Sequence, residues 1–580
     1  MSVTMIRGEG EVLVPAHLNF GRFVLDRLRR ARPDQTCLRN CTSGEQLTFS
    51  EFTQYAVRLG AALAQLGVGR GDTLVVGGEP RVTFMAAGLA AVLTGAAYTP
   101  IPLTCGPAIL THELNLTKPK YFLCTPLFWE AHSTTLKSLD FIKTFICFDD
   151  VEDIELSVQE LVSSQSHVDV DTFEPAVVNG DDVAVVLYSS GTTGMSKGVV
   201  LTHLSCIARC DSKGWYGFDS LQTVYFAGDT QNGSYGIFPV YTFWCGGKTV
   251  VYSEDDVDLK IIQDYKVDVM PTVPAFAEEL LNSKVEYDLS SLKIIYTGAA
   301  PLHLSTAKAF KERQVFFTPP IRKRAFSSLL GGIKVALFLP ARRDQEVFSD
   351  IIFIFNPCVI MEKYCRYPNI ELLNIYGTTE AYMITTQGPS PIGTTTIGVA
   401  APGVSIKVVD TETRATLGPN QRGEICVRSP FLMKGYLGAT AGYLGATAGY
   451  LDEQGFYLTG DLGYYDEQRK FYLEGRLHDI IHHHLGYKVS PLELEEVLLG
   501  HPAVREAGVV GLVVEGGGER PAAAVVLRPG ASTTEAELQD YVDSKVTWYM
   551  KLSGGVRFVS ELPRNAQQKI LRRTLKEMLA

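Results

Sequence analysis

The stretch YSSGTTGMSKGVVLTH, from Tyr188 to His203, is a glycine- and hydroxyl-rich loop between two apolar runs. Its glycines allow tight turns that expose successive backbone N–H groups, and its hydroxyl side chains add further donors. Lys197 adds a compact positive charge. A concave array of such donors suits phosphate oxygens. The candidate phosphate ligands are Ser189, Ser190, Gly191, Thr192, Thr193, Gly194 and Lys197.

The spacing of this loop differs from the phosphate loop of P-loop NTPases. That motif is G-x-x-x-x-G-K-[ST], whereas Gly198 follows Lys197 here. A Ser/Gly-rich surface loop without a ligand is the alternative that the stretch alone leaves open. The rest of the sequence has to decide between the two.

The composition is that of a globular protein with more than one domain. The chain has 580 residues, of which 46% are hydrophobic and 20% are charged. Its formal net charge is −11 and its basic residues are scattered, so no cationic surface for nucleic acid is indicated. A small-molecule or acyl substrate fits better.

The sequence predicts a soluble, cytoplasmic protein. No uncharged run approaches the roughly 20 residues of a transmembrane helix, and the first residues lack the organisation of a signal peptide. The final residues, KEMLA, do not match the common peroxisomal tripeptide. Other import routes exist, so a peroxisomal location stays open.

Helical patterns and short apolar runs alternate from about Leu47 onward. The runs include DTLVVGG, KYFLCT and VAVVLYSS, and FSEFTQYAVRLGAALAQLGV has helical periodicity. The alternation predicts an α/β fold with parallel sheets flanked by helices. After Gly393 the runs become short and closely spaced, which predicts a small β-barrel-like part. A small α+β module follows, so we place a domain boundary near Arg476, between residues 1–476 and 477–580.

Two segments interrupt these patterns. Residues Gly435 to Ala441, GYLGATA, recur identically at Gly442 to Ala448, which indicates a local duplication within 435–448 rather than a solenoid. The stretch 315–365 lacks clean periodicity and is long for a connection inside a compact domain. We treat it as an insert and hypothesise that it is a retained intron, which amplification of the mature transcript would test.

Motifs downstream of the loop resemble those of the adenylate-forming superfamily, which includes acyl-CoA synthetases, 4-coumarate:CoA ligases and beetle luciferases. They occur in that superfamily's order and extend over nearly the whole chain. The motifs are YTGAAPL (Tyr296–Leu302), NIYGTTEA (Asn374–Ala381), YLTGDLGYYDE (Tyr457–Glu467), GRLHDII (Gly475–Ile481), VSPLELEEVLLGHPAV (Val489–Val504) and NAQQKILRR (Asn565–Arg573). The resemblance implies an AMP-binding adenylation domain followed by a small, mobile C-terminal domain.

The resemblance also implies roles for individual residues. In the superfamily, the residue matching Thr379 contacts the α-phosphate of ATP and the one matching Glu380 binds Mg²⁺, a hard cation that suits one carboxylate plus phosphates. Asp461 and Arg476 match groups that bind the ribose and the phosphate region. The other positions implied to contact the nucleotide are Gly298, Ala299, Ala300, Asn374, Tyr376 and Gly377. Ordinary turn chemistry, core packing or a surface carboxylate is the alternative for each.

Lys569 matches the lysine that stabilises the forming acyl-adenylate, although Gln568 replaces the preceding glycine. The implied reaction has two steps: ATP and a carboxylic acid give acyl-AMP and pyrophosphate, and coenzyme A then displaces AMP after the small domain rotates. The implied hinge is His478, where Lys or Asp is more usual. A solvated charge on a helix is the alternative for Lys569.

Two regions depart from the superfamily pattern. The segment HHHLGYKVSP places His482 where the lysine of the second step is expected. Three adjacent histidines suggest a metal site, but neighbours on one strand point to alternate faces, which opposes it. In VYFAGDTQNGSYGIF, Tyr235 and Gly236 are expected to line the acid pocket, whose preferred acid the sequence does not identify.

The sequence therefore predicts an ATP-dependent acyl-CoA synthetase for a fatty or aromatic acid, with catalytic residues Lys569, Thr379, Glu380 and His482 and with Mg²⁺ at Glu380. The cofactors and partners are ATP, Mg²⁺, coenzyme A and the acid. One alternative is a non-catalytic acyl- or nucleotide-binding relative, which the substituted His482 and the insert favour. The other is a luciferin monooxygenase, which would share the adenylation motifs.

Overall fold

A computed structural model defines the fold. It describes residues 5–12, 19–189, 196–227, 234–254, 257–274, 280, 287–298, 302, 304, 306–308, 370–388, 396–437, 450–483, 487–514, 518–564 and 569–580. Several predicted features lie outside these residues. They are Ser190, Gly191, Thr192, Thr193, Gly194, Ala299, Ala300, the side chain of Tyr235, the insert 315–365 and residues 438–449 of the duplication.

The described α-helices cover the sheets of the first part of the chain and pack on the smaller sheets of the last part. They are α1 (Phe20–Leu28), α2 (Phe49–Gln65), α3 (Phe84–Leu93), α4 (Pro107–Thr117), α5 (Pro126–Lys137), α6 (Val158–Ser164), α7 (His203–Arg209), α8 (Ser234–Cys245), α9 (Leu259–Tyr265), α10 (Pro491–Leu499), α11 (Glu535–Asp543) and α12 (Arg572–Leu579). Helix α2 begins at a capping box in which Thr48 and Glu51 satisfy each other's backbone N–H groups. Every residue of α3 is buried, which matches its uniformly apolar sequence.

Two large sheets, whose strands are numbered in chain order, form the first part of the chain. One has the order β22 (Gly435–Tyr436), β10 (Lys197–Thr202), β9 (Val183–Ser189), β5 (Ala97–Pro102), β4 (Thr73–Gly78), β6 (Tyr121–Cys124), β7 (Thr144–Cys147) and β8 (Leu156–Ser157). The other has the order β15 (Glu371–Asn374), β14 (Ile294–Thr297), β13 (Val269–Thr272), β11 (Thr223–Ala227), β12 (Thr249–Ser253), β2 (Thr36–Asn40) and β3 (Gln46–Thr48).

Most pairings in these sheets are parallel, as the alternating pattern predicts. Strand β4 pairs in parallel with β5 and β6, β5 pairs in parallel with β9, and β14 pairs in parallel with β15. Strand β10 instead runs antiparallel to β9, with Lys197 opposite Ser189. The connection between them is too short for the crossover that a parallel pair requires. The phosphate motif therefore begins and ends on two antiparallel strands, at Ser189 and Lys197.

A five-stranded antiparallel sheet forms the β-rich part expected after Gly393. Its order is β1 (Ile6–Arg7), β20 (Ser405–Val409), β21 (Gly423–Arg428), β23 (Tyr457–Tyr465) and β24 (Phe471–Arg476). Two short antiparallel strand pairs lie outside these three sheets. They are β16 (Gly377–Thr378) with β17 (Tyr382–Met383), and β18 (Thr385–Thr386) with β19 (Val399–Ala400).

The last part of the chain is a small α+β unit. It contains the hairpin β25 (Ile481–His482) and β26 (Lys488–Val489) and a sheet of β27 (Val504–Val513), β28 (Glu519–Leu527) and β29 (Val556–Phe558). Helices α10, α11 and α12 pack beside this sheet. The α/β fold class is confirmed, while the domain boundary near Arg476 stays a prediction.

Candidate active site

The candidate site lies where the carboxyl ends of strands from both large sheets meet. Ser189 ends β9, Asn374 ends β15 and Gly298 follows β14. Loops at the carboxyl ends of parallel strands commonly form ligand sites. The Ser189 hydroxyl donates a hydrogen bond of 3.2 Å to Oε1 of Glu380, so the two sheets contribute to one cluster.

Lys197 lies beside two tyrosine rings at this edge. Its Nζ is 5.2 Å from the ring centroid of Tyr436 and 5.5 Å from that of Tyr450. These distances are those of cation–π contacts. The Tyr436 hydroxyl also donates to Oε1 of Glu380 at 2.8 Å. Lys197 and Glu380 are therefore positioned by a shared aromatic residue that the sequence reasoning had missed.

A tight hairpin presents Thr379 and Glu380. They lie in the turn between β16 and β17, where the Thr378 hydroxyl accepts a hydrogen bond of 3.1 Å from the Ala381 N–H. Tyr382, the first residue of β17, has a φ of 58°, which is uncommon for a bulky residue. Glu380 is buried and Thr379 is half-buried.

Arg209 supports this turn from inside the protein. The side chain is fully buried, and its guanidinium donates to the carbonyls of Thr379 (3.0 Å), Glu380 (3.1 Å) and Phe431 (2.8 Å). The rings of Phe238 and Tyr382 lie 5.1 Å and 5.5 Å from it. An arginine inside the apolar helix HLSCIARC was the available signal for this residue, which the sequence reasoning had also missed.

Asp461, Arg476 and Tyr376 form one polar group, in which Asp461 and Tyr376 are buried and Arg476 is half-buried. Asp461 and Arg476 are opposite each other on β23 and β24, and Arg476 Nε lies 2.9 Å from Asp461 Oδ1. The Tyr376 hydroxyl donates to Asp461 Oδ2 at 2.5 Å. Burial raises the pKa of Asp461, although Arg476 and the Tyr376 hydroxyl both favour its ionised form. A carboxylate held in this way is suited to accept hydroxyl donors such as those of ribose.

Lys569 approaches the same group from the last part of the chain. Desolvation and the positive charge of Arg476 lower the pKa of Lys569, while Asp461 and Glu380 act in the opposite direction. These are the charged groups of the predicted site, so the structure brings Lys569, Asp461, Arg476 and Glu380 together. Two cations and two carboxylates, from elements far apart in the chain, converge there.

The other described residues that the sequence predicts to contact the nucleotide lie at or near the ends of β14 and β15. Gly298 is packed so closely that an added Cβ would lie 3.2 Å from the Ile375 carbonyl oxygen. The N–H of Asn374 donates to the Gln387 side chain at 2.7 Å, and Gly377 begins β16. Gly236 is buried in α8. Gly298 therefore lies against the backbone of the NIYGTTEA motif.

The two histidines at unusual positions lie elsewhere. His478 is half-exposed in the turn after β24, with Nε2 3.5 Å from Asp479 Oδ1. His482 is exposed; its N–H donates to Glu519 at 3.0 Å, and it pairs with Lys488 across the β25–β26 hairpin. The described contacts of His482 are thus with Glu519 and Lys488 of the C-terminal unit.

The site offers a metal ion one described carboxylate ligand, that of Glu380, so most ligands of a bound cation would come from phosphates and water. Within the described ranges, the chain forms no group of three or more His, Cys, Asp or Glu residues able to hold a metal ion. Glu380 supplies one buried carboxylate, and its Oε1 already accepts from Ser189 and Tyr436. A single carboxylate of this kind suits Mg²⁺ that is bound largely through phosphates and water.

Comparison with protein families identifies the class to which this fold and site belong. The AMP-binding enzyme family matches residues 25–321 and 357–437, and the AMP-binding enzyme C-terminal domain matches residues 493–569. The interval between the first two ranges falls inside the segment 315–365. The chain belongs to the AMP-binding enzyme family, within the adenylate-forming superfamily that its motifs resemble.

Individual relatives match almost the full chain. Luciferin 4-monooxygenase of Nipponoluciola cruciata is 30% identical over 575 residues, covering 95% of this chain and 92% of that protein. 4-Coumarate–CoA ligase 1 of Petroselinum crispum is 28% identical over 588 residues, covering 98% and 96%. The fold is similar to that of ATP-bound MatB from Rhodopseudomonas palustris, with a TM-score of 0.77, 22% identity, and coverage of 97% of this chain and 99% of that one.

In the described residues, no helix combines the length and the apolar character needed to cross a membrane.

Proposed function

We propose that this protein is an ATP-dependent acid–thiol ligase. It converts a carboxylic acid to acyl-AMP with release of pyrophosphate, and then to a coenzyme A thioester with release of AMP. The observation that carries the proposal is the convergence of Lys569 with Asp461, Arg476 and Glu380. Family membership and the ligases among the relatives support the same reaction.

In the first step a carboxylate oxygen attacks the α-phosphorus of ATP, and the bond to pyrophosphate breaks. Two anions must approach each other, so positive charge has to be preorganised around the reacting atoms. We assign this role to Lys569 and Arg476, with Lys197 acting on the outer phosphates. Thr379 offers a hydroxyl beside the α-phosphate, and Asp461 accepts from the ribose hydroxyls.

Mg²⁺, when bound, would neutralise phosphate charge and orient the leaving pyrophosphate. Glu380 is its proposed protein ligand. The hydrogen bonds from Ser189 and Tyr436 both go to Oε1 and hold the carboxylate that would bind the cation. The Arg209 contacts to the Thr379 and Glu380 carbonyls hold the backbone of the same turn in place.

In the second step the thiol sulfur of coenzyme A attacks the acyl carbonyl carbon, and the bond to AMP breaks. We propose that the C-terminal unit rotates about His478 for this step and brings His482 toward the acyl-adenylate. Tyr235 and Gly236 line the acid pocket in this proposal.

The test is ATP–pyrophosphate exchange with panels of medium-chain, long-chain and cinnamic acids. We expect exchange with at least one class of acid, and a loss of at least about 100-fold in Lys569→Ala. Lys545→Ala is the matched control, because Lys545 is a lysine of the C-terminal unit that lies over the Tyr541 ring, 4.7 Å from its centroid. Exchange that survives in Lys569→Ala would contradict the proposed role of Lys569.

Product analysis separates the alternatives. Thioester formed from an active acid and coenzyme A supports the ligase. Exchange without thioester, together with light from a luciferin and oxygen, would favour the monooxygenase activity that the 30% identical relative is named for. Binding of ATP without exchange for any acid would favour a non-catalytic relative.

A further inference from the structure

Helix α4 contacts both flanks of the stretch 190–195. On the first flank, the Tyr188 hydroxyl donates to the backbone carbonyl of Glu113 at 2.9 Å and lies 3.1 Å from the Thr117 hydroxyl. On the second flank, Nε2 of His112 lies 2.8 Å from the carbonyl of Ser196. A carbonyl can only accept, so His112 donates this bond. One turn of a single helix therefore bonds both ends of the phosphate motif.

The contacts follow from helix geometry. Glu113 and Thr117 are four residues apart and so lie on the same face of α4, where both meet Tyr188. His112 and Glu113 are adjacent in the same turn of α4. His112 therefore contacts the second flank, at Ser196, while Glu113 contacts the first flank, at Tyr188. The side chain of Ser196 favours the ionised form of Glu113. Its hydroxyl makes no hydrogen bond of ordinary geometry with any described residue.

Glu113 is a buried carboxyl with 6% of its surface exposed. Burial raises its pKa to about 7, and the charge of His112 and the groups of Ser196 and Cys105 act against that rise. Cys105 Sγ lies 3.9 Å from Glu113 Oε2.

The described elements that pack beside α4 also carry titratable groups. On β9 the facing group is Tyr188, whose pKa burial raises. On β10, Lys197 lies against the rings of Tyr436 and Tyr450. On α5, His132 lies with Nε2 3.4 Å from the Leu103 carbonyl.

We propose that α4 positions the phosphate loop for nucleoside triphosphate, with His112 and Glu113 as positioning residues that fix the Ser196 and Tyr188 flanks relative to each other. The inference rests on the proposed function, because it assumes that this loop binds ATP. A binding loop whose two ends are held in place loses less conformational freedom when its ligand binds. The helix acts through the loop and need not touch ATP itself.

The direct test uses the full chain with variants of His112. Calorimetry gives the Kd for ATP, and pyrophosphate exchange gives KM for ATP and kcat. We expect His112→Leu to raise both Kd and KM about five- to tenfold with kcat within about twofold, because a hydrogen bond at this position is lost. His112→Gln, which keeps a donor, should return Kd to within about threefold of the parent value. Glu130→Gln, an exposed change on α5, is the control and should alter neither constant.

The second readout is the pH dependence of KM for ATP. As pH rises through about 7, Glu113 becomes ionised and adds negative charge beside Ser196, at the second flank of the phosphate motif. KM for ATP should therefore rise over this range in the parent protein, and this part of the rise should vanish in Glu113→Gln. Since His112 is unchanged in that variant, the difference between the two profiles belongs to Glu113.

The outcomes separate this inference from the proposed function. ATP binding that weakens in His112→Leu and recovers in His112→Gln supports the inference even if no acid supports exchange. Equal Kd values for His112→Leu and Glu130→Gln would overturn the inference, as would equal losses in the Leu and Gln variants of His112. A parent chain that does not bind ATP would overturn the inference and the proposed function together.

Discussion

Arg572 forms an ion pair with the buried carboxylate of Glu495, with Nη1 2.6 Å from Oε1, and its Nε lies 3.4 Å from Asp479. Arg572 is three residues beyond Lys569, and Asp479 follows His478. The segment that carries the proposed catalytic lysine is therefore bonded to the segment at the proposed hinge. Glu495 completes this network by accepting the Val509 N–H at 2.8 Å.

Replacing Arg572 should destabilise the C-terminal unit. Arg572→Met leaves the Glu495 carboxylate, which is 2% exposed, without its cation, and an uncompensated buried charge of this kind costs roughly 3 kcal/mol or more. The free energy of local unfolding, from hydrogen exchange of peptides in 477–580, would measure this loss. Arg573→Met is the matched control, since Arg573 forms an exposed pair with Glu577 worth about 0.5 kcal/mol or less. Equal effects of the two changes would contradict the network.

Removing the Tyr376 hydroxyl should shift the pH dependence of catalysis. This hydroxyl bonds the ionised form of Asp461, whose pKa burial already raises. Tyr376→Phe should therefore raise the pKa of Asp461 further, so that its charge is lost at a higher pH. The acid limb of kcat/KM for ATP should move up by about one pH unit. Tyr465→Phe is the control, because Tyr465 lies on the same strand as Asp461 but its hydroxyl donates to the Leu417 carbonyl. An acid limb that does not move in Tyr376→Phe, or that moves equally in the control, would refute the argument.

Arg209 should not be replaceable by lysine. An ammonium group cannot reproduce the planar set of donors that meets the carbonyls of Thr379, Glu380 and Phe431. Arg209→Lys should lower the free energy of unfolding by roughly 2–4 kcal/mol and kcat/KM by at least about tenfold. Denaturant titration and pyrophosphate exchange test the two effects. The exposed Arg428→Lys serves for comparison, and a result for Arg209→Lys that matches it would show that a positive charge alone is sufficient.

Deleting residues 315–365 should leave a folded and active protein. The strands that the segment separates, β14 and β15, pair directly in parallel. The deletion shortens the connection between them roughly threefold, which favours the folded state by about 1 kcal/mol through the smaller entropy of loop closure. Thermal unfolding and exchange activity check this expectation. A shortened chain that fails to fold would show that the segment contributes to the structure and is no dispensable insert.

The sequence motifs predicted much of the site because each motif carries its residues on one local element. Asp461 and Arg476 illustrate this, since two adjacent strands of a hairpin place them opposite each other. The parallel pairing of β14 and β15 was also readable from their apolar runs. The roles of the residues in these motifs stay proposals.

Arg209 and Tyr436 could not be recognised in the same way. The function of Arg209 depends on carbonyls from two segments far away in the chain, so its local sequence shows only a charge in an apolar helix. Tyr436 lies in the segment read as a duplication, and only the pairing of β22 with β10 places it near Lys197. The support from α4 is equally non-local, because it joins residues more than 70 positions apart.

The two tyrosines beside Lys197 bear on how the GYLGATA duplication can evolve. Tyr436 is the second residue of the first copy, and Tyr450 lies in the identical Gly-Tyr-Leu that follows the second copy. Slippage during DNA replication that removes or adds one seven-residue unit would therefore leave a Gly-Tyr-Leu at each end of the segment. Chains of different repeat number would therefore retain counterparts of Tyr436 and Tyr450, whose rings meet edge to face at 4.7 Å between centroids in this chain. The residues that flank the repeat are thus the same whatever the number of seven-residue units.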